Sequence, residues 1–126
     1  MIKGVGIDLV EIKRIKRAID NNNKFLKKVF TMEEIAKGEK KKNRYQFYGA
    51  HFATKEAVMK ALGTGWRKGV RWIDIQIIHN NDGKPEVRLV GKTKEIAKRL
   101  GIDEVLISMS HTKEYAVAQA IAVKHG

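Results

Sequence analysis

The segment Phe52-Ala53-Thr54-Lys55-Glu56-Ala57-Val58-Met59-Lys60-Ala61-Leu62-Gly63-Thr64-Gly65 decides how the rest of the chain is read. It closes the longest helical pattern, Tyr45 to Leu62, in which Tyr48, Phe52, Met59 and Leu62 form one apolar stripe. Gly63 and Gly65 stop that helix, because glycine takes the left-handed cap conformation without a steric penalty. Glu56 and Lys60 stand four residues apart and share a helix face, with Lys55 beside them. One reading is an ordinary surface pair. The other is a carboxylate for a divalent ion set beside a lysine for phosphate, the pairing a polyphosphate substrate needs. Position favours the second, since the pair shortly precedes a small turn where a phosphate can approach the backbone. The turn itself is neither a P-loop nor a dinucleotide fingerprint, because its glycines follow a helix instead of opening one.

Upstream, Ile2 to Leu9 alternates as a strand: Val5, Ile7 and Leu9 share one face, and Gly4, Gly6 and Asp8 the other. Nothing bulky flanks the Asp8 carboxylate on its own face. That suits a ligand or a hydrated metal, and equally a strand-end aspartate in water. A helix follows, with Ile12, Ile15 and Ile19 inward and Lys13, Arg14, Lys16 and Arg17 filling the remainder. Asp20-Asn21-Asn22-Asn23 breaks it. Thr31 reads as an N-cap and Glu34 as its capping-box partner, and Lys37 to Asn43 is a solvated, lysine-rich helix end or loop.

Downstream, Trp72–Ile78 and Glu86–Val90 read as strands joined by the turn Asn80-Asn81-Asp82-Gly83. A short helix, Lys94–Leu100, ends at Gly101. Val105–Ser110 and Tyr115–Val123 read as two strands around His111-Thr112-Lys113-Glu114. Helices early and antiparallel strands late make the chain α+β, with a long helix packed on an antiparallel sheet.

Composition narrows the function classes. The chain has 126 residues, 43% of them hydrophobic, so it is expected to form one domain over residues 1–126. No apolar run is long enough to span a bilayer, and no signal peptide is expected at the N-terminus. Absence of cysteine excludes disulfides, thiolate zinc sites and cysteine nucleophiles, and fits a cytoplasmic location. The 26 Lys and Arg exceed the 14 Asp and Glu, giving a net charge of +12 and implying an acidic partner. The histidines have no zinc spacing. Ser110 and His111 are adjacent, the wrong arrangement for a nucleophile and its base. His111 read alone is a turn histidine with one hydrogen bond.

Two binding readings compete for the excess charge. Lys13, Arg14 and Arg17 on an exposed helix side suit an acidic protein helix or a nucleic-acid backbone equally. Trp66 and Trp72, interleaved with Arg67, Lys68 and Arg71, resemble the stacking platforms of nucleic-acid binders, although Trp72 at a strand start reads as core. The alternative to an enzyme is therefore a small basic RNA- or DNA-binding module. It leaves two carboxylates among glycines and lysines unexplained, so nucleic acid is the disfavoured partner.

Taken in order, GVGIDLVEIKRI, FTMEEI, FATKEAVMKALGTG, WIDIQI, NDGKP and SHTKEYAVA resemble the holo-acyl-carrier-protein synthases. These form the small bacterial branch of the 4′-phosphopantetheinyl transferases. The resemblance runs in register from Gly4 to Ala118. It implies transfer of 4′-phosphopantetheine from coenzyme A to a serine of an acidic apo acyl carrier protein, releasing adenosine 3′,5′-bisphosphate in support of fatty-acid biosynthesis. It also implies a homotrimer of the family's α+β fold, with active sites at subunit interfaces. By position, Asp8 and Glu56 would bind Mg²⁺ with the coenzyme A pyrophosphate. Lys60 would stabilise phosphate oxygens or the leaving group, and Lys55 would support the phosphates. Gly63, Thr64 and Gly65 would pass close to the nucleotide. Asn81, Gly83, Lys84 and Pro85 would contribute to the coenzyme A pocket, with His111 and Thr112 from the adjacent subunit. Lys13, Arg14 and Arg17 would dock the carrier protein, with Lys24, Lys27 and Lys28 as stand-ins for further arginines. For the base that takes the serine proton, a metal-bound water ranks first and Glu34 second.

Overall fold

The computed structural model describes residues 1–63 and 69–126. Ten elements and one 3₁₀ turn follow in chain order. They are β1 (Ile2–Glu11), α1 (Ile12–Asn21), α2 (Phe25–Val29), α3 (Met32–Glu39) and α4 (Arg44–Leu62), then the turn Trp72–Asp74. After it come β2 (Ile75–His79), β3 (Pro85–Leu89), α5 (Gly91–Arg99), β4 (Glu104–His111) and β5 (Tyr115–Val123). β1, β5 and β4 form an antiparallel sheet in that order, and β2 with β3 forms a separate hairpin.

The α+β expectation holds, with α4 laid across the three-stranded sheet. Contact is close because the facing residues are small. Ala116, Ala118, Ala120 and Ala122 of β5 are almost fully buried beneath it. On β1, a Cβ at Gly6 would overlap the Ala57 carbonyl oxygen, and one at Gly4 the Ala61 carbonyl. Two strand residues rise about 6.8 Å and four helix residues about 6 Å, so the glycines and the helix turns stay in step. The space beside Asp8 read from the sequence as room for a ligand is therefore taken up by the helix backbone. Small residues there serve packing first.

Helix α4 also departs from the single-stripe reading. Tyr48, Ala53, Thr54, Lys55, Ala57 and Val58 are all buried, so the helix is enclosed on nearly every side. Its other flank meets a second core, where Phe30 and Tyr48 lie 5.0 Å apart and Ile15 and Val29 fill in. A helix buried all round cannot show a clean amphipathic period.

The opposite sheet face is open in the single chain. Val5, Ile7 and Leu9 of β1 are 57%, 61% and 65% exposed, and Leu106, Tyr115 and Val117 continue the patch across β4 and β5. Lone apolar side chains on a surface are ordinary. A contiguous row across three strands marks a surface that is covered by something.

Smaller differences concern boundaries. Trp72–Asp74 is a 3₁₀ turn, not strand, because buried Asp74 ties the segment down through Arg71 and Thr93. His111 ends β4 opposite Ala116, and the turn itself is built by Thr112, whose hydroxyl accepts from the Glu114 and Tyr115 amides. Helix α2 has no counterpart in the sequence reading. Its five residues are too few to show a period.

Candidate active site

Asp8 is the next residue after Gly4 and Gly6 on the β1 face that meets α4, and its side chain is 17% exposed. From α4, Lys60 Nζ donates to Asp8 Oδ1 at 3.1 Å and to the Ile7 carbonyl at 2.9 Å. One turn earlier on the helix, Glu56 faces the same region. Burial pushes its carboxyl above the ordinary carboxylate range, and the nearby Asp8 charge adds to this. The Trp72 hydrogen bond and the Lys60 ammonium act in the opposite sense. Asp8, Glu56 and Lys60 are thus brought together: the shared helix face of Glu56 and Lys60 follows from their spacing, and Asp8 joins them as the family resemblance implied. Gly63, with φ of 75°, caps α4 one turn beyond, its N–H shared between the Met59 and Lys60 carbonyls. Thr64 and Gly65, and likewise Trp66, Arg67 and Lys68, lie outside the described residues.

The two carboxylates offer hard oxygen donors, and the Lys60 ammonium stands beside them as a cation. Among the described residues no group of three or more His, Asp or Glu side chains converges. That suits Mg²⁺, which is typically held by one or two protein carboxylates and completes its shell with water and phosphate oxygens.

Lys55 is a correction. Its side chain is fully buried, and its ammonium donates to Glu34 Oε1 at 2.7 Å, the Val29 carbonyl at 2.8 Å and the Trp72 carbonyl at 3.2 Å. Three donors are spent on three acceptors, leaving none for a phosphate. Glu34 is corrected with it as a base. The capping box with Thr31 is present, with Glu34 Oε1 accepting from the Thr31 amide, and its Oε2 accepts from the Ile77 amide at 2.9 Å. A carboxylate that accepts from the Lys55 ammonium and from two backbone amides is scaffold. Burial pushes the Lys55 ammonium below its ordinary pKa, and the Glu34 charge holds it up.

The remaining candidates lie apart from the carboxylates. Asn81, Gly83 and Lys84 are exposed on the β2–β3 turn, which Asn80 organises by accepting from the Asp82 and Lys84 amides, and Pro85 opens β3. Asn80, the first residue of the turn read from the sequence, is what shapes it. His111 sits two strands from β1 and lines a cavity of about 420 Å³ with Lys41, Lys42, Asn43, Gln46 and His51. Thr112 is exposed beside it. Lys13, Arg14, Arg17 and Lys24 are all exposed, the first three on α1 with Ile12 and Ile15 buried behind them. Lys16, on the same helix, pairs with Asp20 at 2.6 Å.

Sequence reasoning also missed Trp72 as a member of the site. Its Nε1–H donates to Glu56 Oε2 at 2.9 Å. The ring stacks on Phe52 with centroids 6.4 Å apart, so it is engaged inside the chain and is not a free stacking platform for a base.

Known proteins share both the sequence pattern and the fold. The family model described as the 4′-phosphopantetheinyl transferase superfamily matches residues 4–120. The chain belongs to this superfamily. It is therefore related to enzymes throughout its length. A holo-[acyl-carrier-protein] synthase of Alkaliphilus oremlandii is 49% identical over 123 residues, covering 98% of this chain and all of the relative. One from Solibacter usitatus is 44% identical over 122 residues, covering 96% and 98%. Among solved structures, the holo-[acyl-carrier-protein] synthase of Neisseria meningitidis superposes with a TM-score of 0.90 at 34% identity, covering 98% of this chain and 100% of that one. The Bacillus anthracis enzyme, solved in complex with CoA (3′,5′-ADP), gives 0.82 at 34% identity with 99% of each chain covered. Membership and fold are thereby shown together.

Proposed function

We propose that this protein is a holo-[acyl-carrier-protein] synthase that moves 4′-phosphopantetheine from coenzyme A to a serine hydroxyl of an acidic apo acyl carrier protein. Adenosine 3′,5′-bisphosphate leaves, the reaction depends on Mg²⁺, and the product serves fatty-acid biosynthesis in the cytoplasm. The observation that carries the reading is the cluster of Asp8, Glu56 and Lys60, in which two carboxylates of a transferase-family chain face one ammonium at the end of a helix.

Phosphoryl-type transfer needs little covalent help from the protein. It is accelerated by positioning and by neutralising charge on the phosphate oxygens. Asp8 and Glu56 would hold Mg²⁺ together with the pyrophosphate of coenzyme A, and the ion would supply Lewis-acid polarisation of the phosphoryl group. Lys60 carries the second positive charge. Its reach to Asp8 and the Ile7 carbonyl fixes the ammonium beside the carboxylates, where it neutralises oxygens of the bound pyrophosphate. Gly63, with Thr64 and Gly65 after it, gives the nucleotide a surface without side-chain bulk at the first position. His111, Thr112, Lys41 and Lys42 supply cationic and polar groups for the rest of coenzyme A, as do Asn81, Gly83, Lys84 and Pro85 of the hairpin.

Assembly as a homotrimer accounts for the open sheet face. Val5, Ile7 and Leu9 with Leu106 and Val117 would be buried between subunits, and each active site would draw on two chains. Arg14, flanked by Lys13 and Arg17, would steer the acidic carrier protein and dock it, with Lys24 at the edge.

Mass spectrometry of an apo acyl carrier protein incubated with the protein, coenzyme A and Mg²⁺ tests the reading. A gain of one phosphopantetheine that disappears with EDTA supports it. No gain across several apo carriers overturns it and leaves the family likeness as fold alone.

A further inference from the structure

We infer that Trp72 is a positioning residue for Glu56, fixing through its indole N–H which carboxylate oxygen is free to meet a cation. The inference rests on the reading of Glu56 as a metal ligand, and it assigns to Trp72 a role beyond core packing.

Geometry carries it. The indole Nε1–H donates to Glu56 Oε2 at 2.9 Å, a charge-assisted bond to one of the two carboxylate oxygens. That bond orients the carboxylate plane through Oε2, and among the described residues Oε1 accepts no hydrogen bond. The donor is itself held. Phe52 stacks against the ring at 6.4 Å with planes 25° apart, and Lys28 Nζ lies 5.8 Å over it. The Trp72 carbonyl accepts from buried Lys55 Nζ at 3.2 Å, and the next residues are pinned as a 3₁₀ turn whose buried Asp74 binds Arg71 and Thr93. Main chain and ring are thus restrained independently. Groups that orient a metal ligand from behind typically change metal affinity about 10–100-fold when removed. Lys55 and Glu34 contribute from further back, because their buried pair anchors the backbone that carries the indole.

Trp72→Phe tests this, because phenylalanine keeps an aromatic ring against Phe52 while losing the donor and part of the indole volume. Uptake of Mn²⁺ alone, read from the free-ion EPR signal, is compared for wild type, Trp72→Phe and Glu56→Gln. The expected result is loss of uptake in Glu56→Gln and a weakening of about tenfold in Trp72→Phe, with unchanged circular dichroism. Uptake in Trp72→Phe equal to wild type, with Glu56→Gln still defective, overturns the role of Trp72 and leaves the metal reading standing. No uptake by wild type, or undiminished uptake in Glu56→Gln, overturns the metal reading and this inference with it. A second measurement keeps Trp72 in place and so does not depend on the folding of Trp72→Phe. In a chain with Trp66 replaced by Phe, the Trp72 indole N–H resonance is followed by NMR. It should move on Glu56→Gln and broaden with Mn²⁺; a resonance indifferent to both overturns the inference.

Discussion

The Lys55 ammonium and the Glu34 carboxylate meet at 2.7 Å with side chains 0% and 6% exposed, which makes this pair a structural clamp between α4 and α3. Through the Trp72 and Val29 carbonyls and the Ile77 amide it reaches three further segments. Every polar atom in it is satisfied, the condition under which a buried ion pair is tolerated.

Lys55→Met should therefore cost about 3–5 kcal/mol of stability, because it strands a buried carboxylate. Urea unfolding would show it directly. A phosphate-binding lysine would behave differently, raising the KM for coenzyme A in a chain of unchanged stability.

His51 makes stability depend on pH. It is 5% exposed, donates from Nδ1 to the Phe47 carbonyl at 2.8 Å and stacks on the Phe47 ring at 4.0 Å. Burial lowers its pKa from 6.5 to about 4; the Phe47 hydrogen bond and the Glu34 charge act to raise it, and His79 and Lys55 lower it slightly further. The unfolded chain thus binds the proton first as pH falls. The contribution is fully present above pH 6.5 and is lost progressively down to about pH 4, amounting to about 3 kcal/mol over that window. Denaturant titrations between these limits should show a steep slope in the wild type and a shallower one in His51→Gln.

Charge on the open sheet face should disrupt assembly. Leu9 and Val117 are paired neighbours across β1 and β5, exposed in the single chain. Leu9→Lys with Val117→Lys should give a folded monomer by sedimentation equilibrium where wild type gives a trimer, with activity lost because each site draws on two subunits. A wild-type monomer would contradict the trimer.

Arg14→Ala should raise the apparent KM for the acidic carrier protein roughly tenfold and leave that for coenzyme A nearly unchanged, the pattern of a lost docking charge. The defect should shrink as salt is added to the wild-type assay, since screening removes the same attraction. Equal effects on both KM values would place Arg14 at the nucleotide instead.

Much of the fold and of the site is legible in the residues alone. Local signals carry it: the Thr31–Glu34 capping box, the Gly63 stop, the hairpin turn at Asn80–Gly83 and the alternation of β1 each depend on neighbours a few residues away. The Glu56–Lys60 spacing places two site residues on one helix face for the same reason. Asp8 could be proposed as their partner only through family likeness, because the contact joins residues 52 positions apart.

The order of residues thus determined most of the elements, though not α2 or the 3₁₀ turn, together with the α+β class and the family, which rest on short-range patterns or on motifs in register. Tertiary structure alone decided which polar groups are spent and which are available. Lys55 and Lys60 belong to the same helix, yet one is sealed among carbonyls and the other stands open beside Asp8. Glu34 and Glu56 are both acidic helix residues, yet one is saturated by buried donors and the other, among the described residues, accepts only from the Trp72 indole. Neither difference is written in residue type or spacing. It arises from what other segments pack against each side chain, since burial and partners, not identity, set whether a charge is scaffold or site.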